Sequence, residues 1–156
     1  VFVRLRPDWA PRGVKRFLQM VELGDLEDSA IYHVDKSDRV EFGFPAEPTL
    51  PLAPIKDDNV KASNTRGTVS FARTSYSGRV NELFINCKDN SHLDLTGISP
   101  IGEVVEGGMD VVDRLYDGYG KRPDKYELQT SGNAYVEAEF PKIPKIKTVK
   151  VMGVSS

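Results

Sequence analysis

The sequence predicts a single, mostly β domain in which a closed antiparallel barrel is capped by two α-helices. Three observations support this: many short apolar runs, two amphipathic helical patterns (one early, one late), and frequent turn residues, with 13 glycines and 10 prolines. A chain of 156 residues can bury such a core without disulfides or a metal. We therefore expect one domain over residues 1–156.

The first half of the chain holds the early helix and the first predicted strands. Residues 1–6 alternate apolar and basic, as a half-buried strand does, and we expect this strand to have been trimmed from a longer chain. A helix is predicted from Pro11, with apolar residues at i, i+3, i+4 and i+7 from Val14 and Gly24 as its C-terminal cap. Further strands are predicted at residues 30–34 and 39–44.

The second half begins with a long loop, because residues 45–66 contain four prolines and little periodicity. Strands are then predicted at 67–72, 82–87, 101–105 and 146–152, with a loop at 73–81. A second helix is predicted over residues 108–116, followed by a long polar loop.

Composition excludes several classes of function. The net charge of −2 would not gather nucleic acid or anionic lipid, so we expect neither as a partner. Cys87 is the single cysteine and cannot form an internal disulfide. No apolar run approaches the ~20 residues that cross a bilayer, and the start does not resemble a signal peptide. The cytoplasm is the default expectation for localisation, and the oligomeric state stays open.

No motif in the sequence identifies an enzymatic activity by itself. With two histidines and one cysteine, a zinc site is not expected, and there is no phosphate-binding or dinucleotide-binding loop, so we expect no cofactor. Residues 89–94 bring Ser, His and Asp together, but a triad needs these groups to converge from separate elements, so a polar turn is favoured. His33, on a predicted strand, is either a hydrogen-bonded structural residue or a titratable group in a cleft.

A set of short segments, in order along nearly the whole chain, carries a family pattern. They are Ala10-Pro11, Gly67-Thr68-Val69-Ser70-Phe71-Ala72, Glu82-Leu83-Phe84-Ile85, Leu93-Asp94, Gly102-Glu103-Val104-Val105-Glu106-Gly107, Met109-Asp110-Val111-Val112-Asp113 and Gly132-Asn133-Ala134-Tyr135. This ordered set resembles the cyclophilin-type peptidyl-prolyl cis-trans isomerases, in particular divergent bacterial and protist members. The resemblance implies an eight-stranded antiparallel barrel with two capping helices and a substrate groove on one outer face.

The resemblance also implies a mechanism, in which an arginine donates to the prolyl nitrogen and weakens the amide resonance. This resonance produces the barrier of about 18–20 kcal/mol to rotation about the X-Pro bond. Family residues map onto this chain as follows: the arginine onto His33, the aromatic over the proline onto Asp38, two glutamines onto Glu41 and Glu82, a tryptophan onto His92 and a pocket aromatic onto Ile101. Three family residues are retained, namely Ala72, Phe84 and Leu93. Arg39 lies within the altered motif. A small loop that flanks the groove in the family is replaced by Arg73, Ser75 and Tyr76.

These replacements leave two hypotheses. The first is a cyclophilin-like module with a degenerate site that binds a proline-containing protein, with little or no isomerase activity. The second is an active isomerase with a rebuilt site, in which His33, Arg39 or Arg73 supplies the donor. The glutamates at 41 and 82 make the groove more acidic, which favours a basic partner. An unrelated hydrolase on this scaffold has no residue constellation to support it.

Overall fold

The computed structural model describes residues 1–74 and 78–153, and its framework is one antiparallel sheet. Within these residues the strands are β1 (Phe2–Leu5), β2 (Ser29–Val34), β3 (Arg39–Phe42), β4 (Thr68–Thr74), β5 (Gly78–Asn86), β6 (Pro100–Val105) and β7 (Lys145–Ile146). The α-helices are α1 (Pro11–Leu23), α2 (Gly108–Val112), α3 (Lys125–Ser131) and α4 (Asn133–Glu139), and a 3-10 helix spans Ser91–Thr96. Ser75 and Tyr76, assigned above to a loop beside the groove, lie outside the described residues.

The sheet confirms the mostly β fold but does not confirm a closed barrel. The strand order is β1-β6-β4-β5-β3-β2-β7, and register shifts in the β2–β3, β4–β5 and β4–β6 pairs curl the sheet into a half-barrel. In the part of the chain that the structure describes, there are seven strands instead of eight, and β1 and β7 are the two edges. The predicted closing strand contributes only Ile146 to β7, so the segment expected to close the barrel is not paired along its length.

Helix α1 confirms the prediction at both ends. Gly24 adopts a left-handed φ of 77° and caps the C-terminus, as expected for glycine at this position. The N-terminus is capped from a distant loop: the Asp58 carboxylate accepts from the backbone N–H of Arg12 (3.1 Å) and of Gly13 (2.9 Å). Arg79 forms a buried ion pair with Asp58 at 3.1 Å, which anchors the proline-rich loop to the helix.

Three predictions in the second half of the chain were wrong. The predicted loop at residues 73–81 is largely strand, since β4 extends to Thr74 and β5 begins at Gly78. The charged residue Arg79 made this strand difficult to predict. Its charge is neutralised by Asp58, which is distant in the sequence. The second helix is shorter than predicted and ends at Val112. The predicted long polar loop contains helices α3 and α4.

Among the described residues there are three apolar clusters, and two of them position the outer surface of the sheet. The main core packs α1 against the inner face of the sheet and includes Met20, Phe42, Phe71, Leu83 and Ile101. A second cluster packs α3 and α4 against β2 and the residues after β3; its buried members are Ala30, Tyr32, Phe44, Leu128, Val136 and Ile143. This second cluster holds the chain just before α3 over the outer face of β2 and β3.

Candidate functional site

Five of the predicted groove residues share the outer face of β2, β3 and β5. His33 is paired with Glu41, and Glu41 with Phe84, and directly opposite residues of antiparallel strands point to the same face. Residues two apart on a strand share a face as well, which adds Arg39 and Glu82. On these strands, the side chains at the positions between them point into the apolar cores. We call the set the outer row: His33, Arg39, Glu41, Glu82 and Phe84.

His33, at the position of the family's catalytic arginine, has both ring nitrogens engaged within the chain. Its Nδ1 lies 2.6 Å from Oε2 of Glu41, and its Nε2 lies 2.8 Å from the carbonyl oxygen of Pro123. Both partners are acceptors, so whichever ring nitrogen carries a proton donates it within the chain. The side chain is 10% exposed, and neither ring nitrogen points toward open solvent.

Glu41 is the acidic centre of the outer row. Its side chain is 6% exposed, contacts His33 Nδ1 through Oε2, and forms an ion pair with Arg39 Nη2 at 3.1 Å. Burial raises the pKa of the Glu41 carboxyl, but the His33 hydrogen bond and the charges of Lys125 and Arg39 outweigh burial. The pKa therefore lies below its ordinary value, and the group is an anion near neutral pH.

Arg39 covers the retained aromatic residue of the groove. The guanidinium carbon lies 4.5 Å from the centroid of the Phe84 ring, and the ring is fully buried. A cation stacked on an aromatic face is stabilised by the ring quadrupole, and Glu41 fixes the guanidinium in this position. In the described part of the chain, the buried Nε of Arg39 has no hydrogen-bond partner. The Phe84 surface that would receive a proline ring is therefore covered by an arginine.

A segment that ends at the first residue of α3 crosses the outer row. Residues 121–125 read Lys-Arg-Pro-Asp-Lys, and we call them the 121–125 segment. The segment is entered next to the end of β2, where the backbone N–H of Val34 donates to the carbonyl of Gly120 at 3.2 Å. Pro123 is buried, and its carbonyl accepts the hydrogen bond from His33. The chain thus places one of its own X-Pro units against the position of the catalytic arginine.

The two lysines of the 121–125 segment face the acidic residues of the groove, whereas Arg122 donates to the carbonyls of Gly118 and Tyr119. Lys125 Nζ lies 2.8 Å from Glu82 Oε1 and 3.9 Å from Glu41 Oε2. Lys121 Nζ lies 3.8 Å from Asp38 Oδ2 at the more exposed end. The three acidic positions that the sequence analysis placed in the groove are therefore each within ion-pair distance of a lysine of the same chain.

Four other predicted groove residues lie apart from this group. Arg73 is exposed and pairs with Asp57 at 3.1 Å, and Ala72 precedes it on β4. His92 is exposed and Leu93 is half-buried in the 3-10 helix. Among the described residues, none of these four forms a hydrogen bond or ion pair with the outer row. The structure therefore does not bring Arg73 to the position where a replacement donor would be needed.

Two further sequence interpretations are settled by burial and hydrogen bonding. Ile101 has no exposed surface and packs in the main core, so its prediction as a groove residue is corrected. In the polar cluster at 89–94, His92 is exposed while Asp94 accepts from Ser63 (2.5 Å) and from the backbone N–H of Asn64 (2.9 Å). Asp94 therefore stabilises the loop that contains Ser63 and Asn64, and it is not part of a catalytic triad.

Sequence reasoning missed Pro123 and Lys125 because it interpreted their surroundings as a polar loop. A local signal was present: Asp124 is followed three residues later by Glu127, the spacing of a helix N-terminus. In the structure the Asp124 carboxylate accepts from the backbone N–H of Tyr126 at 2.8 Å and caps α3. This signal predicts the helix but does not indicate the surface on which its first residues dock.

The remaining reactive groups add no second chemistry to the site. Burial raises the pKa of the Cys87 thiol to about 11, which keeps it protonated and a poor nucleophile. Across residues 1–74 and 78–153, no group of three or more His, Cys, Asp or Glu side chains is arranged to hold a metal ion. None of the described helices is both long enough and apolar enough to span a membrane.

The sequence matches one protein family over most of its length. The family model described as cyclophilin type peptidyl-prolyl cis-trans isomerase/CLD matches residues 1–138. A peptidyl-prolyl cis-trans isomerase of Acinetobacter baylyi is 41% identical over 69 residues, which cover 40% of this chain and 36% of that protein. Peptidyl-prolyl cis-trans isomerase A of Dickeya dadantii is 33% identical over 116 residues, covering 68% of this chain and 60% of the relative. The chain thus matches less than two thirds of the length of either relative.

Solved structures share the fold at low sequence identity. A cyclophilin from Hirschia baltica superposes with a TM-score of 0.60 at 18% identity, covering 79% of this chain and 65% of that one. A cyclophilin-type isomerase of Cryptosporidium parvum, crystallised in the presence of the dipeptide Ala-Pro, has a TM-score of 0.60 at 17% identity, covering 79% and 84%. At these identities the likeness concerns the fold.

Proposed function

The chain belongs to the cyclophilin-type peptidyl-prolyl cis-trans isomerase family, and we propose that it serves as a protein-binding or assembly module with little or no isomerase activity. Its partner is a protein or peptide that contains proline and carries basic residues. The presence of Ala-Pro with the Cryptosporidium parvum relative supports the proline. The acidic groove residues Asp38, Glu41 and Glu82 support the basic character.

The state of His33 is the single observation that carries this proposal. Isomerisation in the family needs a donor aimed at the prolyl nitrogen, and His33 stands where that donor is expected. Both of its ring nitrogens are already engaged, by Glu41 and by the Pro123 carbonyl. Losing a preorganised donor costs roughly 10²–10³ in rate.

The covered Phe84 ring gives further support. A proline ring gains affinity by burying apolar surface, at about 25 cal/mol for each Å². Phe84 offers no exposed surface, because Arg39 lies over it. Displacing Arg39 would break its ion pair with Glu41 and leave a buried carboxylate short of one cation. Seating of a proline ring on Phe84, which catalysis in the family needs, is thus opposed, whereas binding at the rest of the outer row is not.

A second candidate function is an active isomerase with a rebuilt site, and Arg39 is the residue that favours it. Its guanidinium already lies against the aromatic groove residue, and its Nε–H lacks a hydrogen-bond partner among the described residues. A guanidinium remains charged at every physiological pH and is a suitable donor to an amide nitrogen. In this alternative, Arg39 takes the role that His33 cannot perform.

A protease-free isomerase assay on an X-Pro peptide, run from pH 5.5 to 8, tests the proposal. This range spans ordinary histidine titration. We expect the wild-type protein to match the uncatalysed rate at every pH. Two variants with native circular dichroism serve as comparisons: His33→Arg, which reinstates the family donor, and Arg39→Ala, which removes the alternative donor.

Each outcome of this assay is informative. Wild-type catalysis that disappears in Arg39→Ala would refute the proposal and establish the rebuilt site. Catalysis that rises as the pH falls through the histidine range would identify His33 as the donor and refute the proposal as well. Background rates in the wild type, together with a measured affinity for a basic proline-containing peptide, are the result that we expect.

A further inference from the structure

We propose that the 121–125 segment is an internal ligand of the outer row, which an external basic, proline-containing peptide displaces in order to bind. The inference rests on the proposed function, because it takes the groove as the place where the partner binds. It adds a regulatory element to that function: the groove is closed in the isolated chain and opens when the partner competes successfully.

The first argument is chemical likeness. The segment Lys-Arg-Pro-Asp-Lys contains one proline and three basic residues. These are the two features expected of an external partner, proline from the family and positive charge from Asp38, Glu41 and Glu82. The chain therefore carries, next to its own groove, a short sequence with the composition that the groove favours.

The second argument is the position of each contact. Pro123 is buried, and its carbonyl accepts from the residue at the position of the catalytic arginine. Lys125 lies between Glu82 and Glu41 at 2.8 and 3.9 Å, and the side chains of these acids are 9% and 6% exposed. Buried carboxylates need a compensating cation, so the groove requires an occupant that supplies one.

The third argument is that this occupant is held loosely enough to leave. The side chain of Lys125 is 45% exposed and that of Lys121 is 57% exposed, and exposed ion pairs are weak. Because the segment ends at Lys125, the first residue of α3, the fold keeps it beside the groove at an effective concentration in the millimolar range. A free peptide must compete with this tethered ligand, which lowers its apparent affinity by the fraction of open groove.

Hydrogen exchange on the wild-type protein tests displacement directly. The probe is a synthetic fluorescein-labelled peptide with the sequence of residues 119–127, Tyr-Gly-Lys-Arg-Pro-Asp-Lys-Tyr-Glu. At saturating probe, we expect the amides of Arg122 and Asp124, which donate to the Tyr119 carbonyl and the Tyr135 hydroxyl, to exchange about tenfold faster, since a displaced segment loses these hydrogen bonds. The amides of α1 are the internal reference and should not change.

A pair of uncharged substitutions tests the competition. Pro123→Ala removes the buried ring of the residue whose carbonyl contacts His33, and Pro141→Ala makes the same change at an exposed position after α4. By fluorescence anisotropy we expect the probe to bind Pro123→Ala about tenfold more tightly than wild type, within the usual range of coupling between sites. Pro141→Ala should bind as wild type does. Neither substitution alters net charge, so general attraction of the basic probe is the same in all three proteins.

The outcomes separate this inference from the proposed function. Equal affinities for the three proteins, unchanged exchange at saturation, or no binding at all would each overturn the internal ligand. Isomerase activity in Pro123→Ala, absent from the wild type, would leave the internal ligand standing and refute the proposal that the groove itself has lost its catalytic capacity.

Discussion

The substitution Glu41→Gln removes the negative charge at the centre of the outer row while keeping the size and shape of the side chain. Glu41 lies 2.6 Å from His33, 3.1 Å from Arg39 and 3.9 Å from Lys125. Glutamine can accept from one of the two close donors, but its amide nitrogen then faces the other. The variant therefore loses either the charge-assisted contact with His33 or the ion pair with Arg39, and Arg39 is left without its nearest anion.

The magnitude follows from these contacts. A hydrogen bond to a charged group contributes about 1.5–3 kcal/mol, and breaking a buried ion pair costs roughly 3–5 kcal/mol. The contact with Lys125 is discounted, because that side chain is 45% exposed and its charge is screened by solvent. We expect Glu41→Gln to lower the free energy of unfolding by about 2–4 kcal/mol at pH 7. This is a large fraction of the stability of an ordinary domain.

Urea denaturation monitored by circular dichroism measures this difference. The matched control is Glu103→Gln, the same chemical change in an exposed pair: Glu103 lies 3.5 Å from Arg4, and their side chains are 33% and 60% exposed. Exposed ion pairs contribute about 0–1 kcal/mol, so the control should lie close to wild type. The slope of the denaturation curve should be the same in all three proteins.

The pH dependence of the difference has a definite sign. The folded-state pKa of Glu41 lies below its ordinary value of 4.5, so the unfolded chain binds the proton more readily. The stabilisation from Glu41 is fully present above that ordinary value and is lost as the pH falls through the lower folded-state pKa. The wild type should therefore lose its advantage over Glu41→Gln in acid. A difference below about 0.5 kcal/mol at pH 7, or one that grows in acid, would refute an ionised and paired Glu41.

Three further predictions concern the scaffold. Asp58→Ala should destabilise the protein by about 3–5 kcal/mol in urea unfolding, because it uncaps α1 and leaves the Arg79 charge buried; a loss below about 1 kcal/mol would contradict this role. Gly43→Ala should cost about 2 kcal/mol or more in thermal unfolding, because Gly43 has a φ of 128° and a Cβ would overlap the Asn81 carbonyl; a native melting temperature would contradict it. Cys87 should stay unreactive toward a thiol reagent at pH 8 and react on unfolding, since with a pKa of about 11 only about one thiol in a thousand is ionised; rapid labelling of the folded protein would contradict it.

Elements with local signals were predictable in detail. Helix α1 begins at Pro11 and ends at Leu23 before Gly24, where the first-turn proline and the C-terminal glycine placed its ends. The central parts of β4 and β5 followed from their apolar residues. Their extension through Arg79 did not, because a charged residue in a strand is buried only when a remote partner such as Asp58 neutralises it.

The site was predictable as a set of positions but not as a set of contacts. The resemblance identified His33, Glu41 and Phe84 as groove residues, and strand alternation places them on one face. Neither source indicated that Arg39 would lie over Phe84 or that Glu41 would join several cations. Side-chain partners of this kind depend on strand register and burial, which a single sequence does not define.

By itself the sequence determined the family, the β-rich scaffold and helix α1, because each follows from neighbouring residues or from an ordered motif, and the resemblance predicted His33 at the position of the family's catalytic arginine. Only the tertiary structure decided which residues lie against His33. Pro123 reaches His33 across 90 positions of sequence because α3 and α4 bury Leu128 and Val136 against Tyr32. An amphipathic helix shows locally that it has an apolar face, but the surface that it covers is selected by the fit of the whole packed chain.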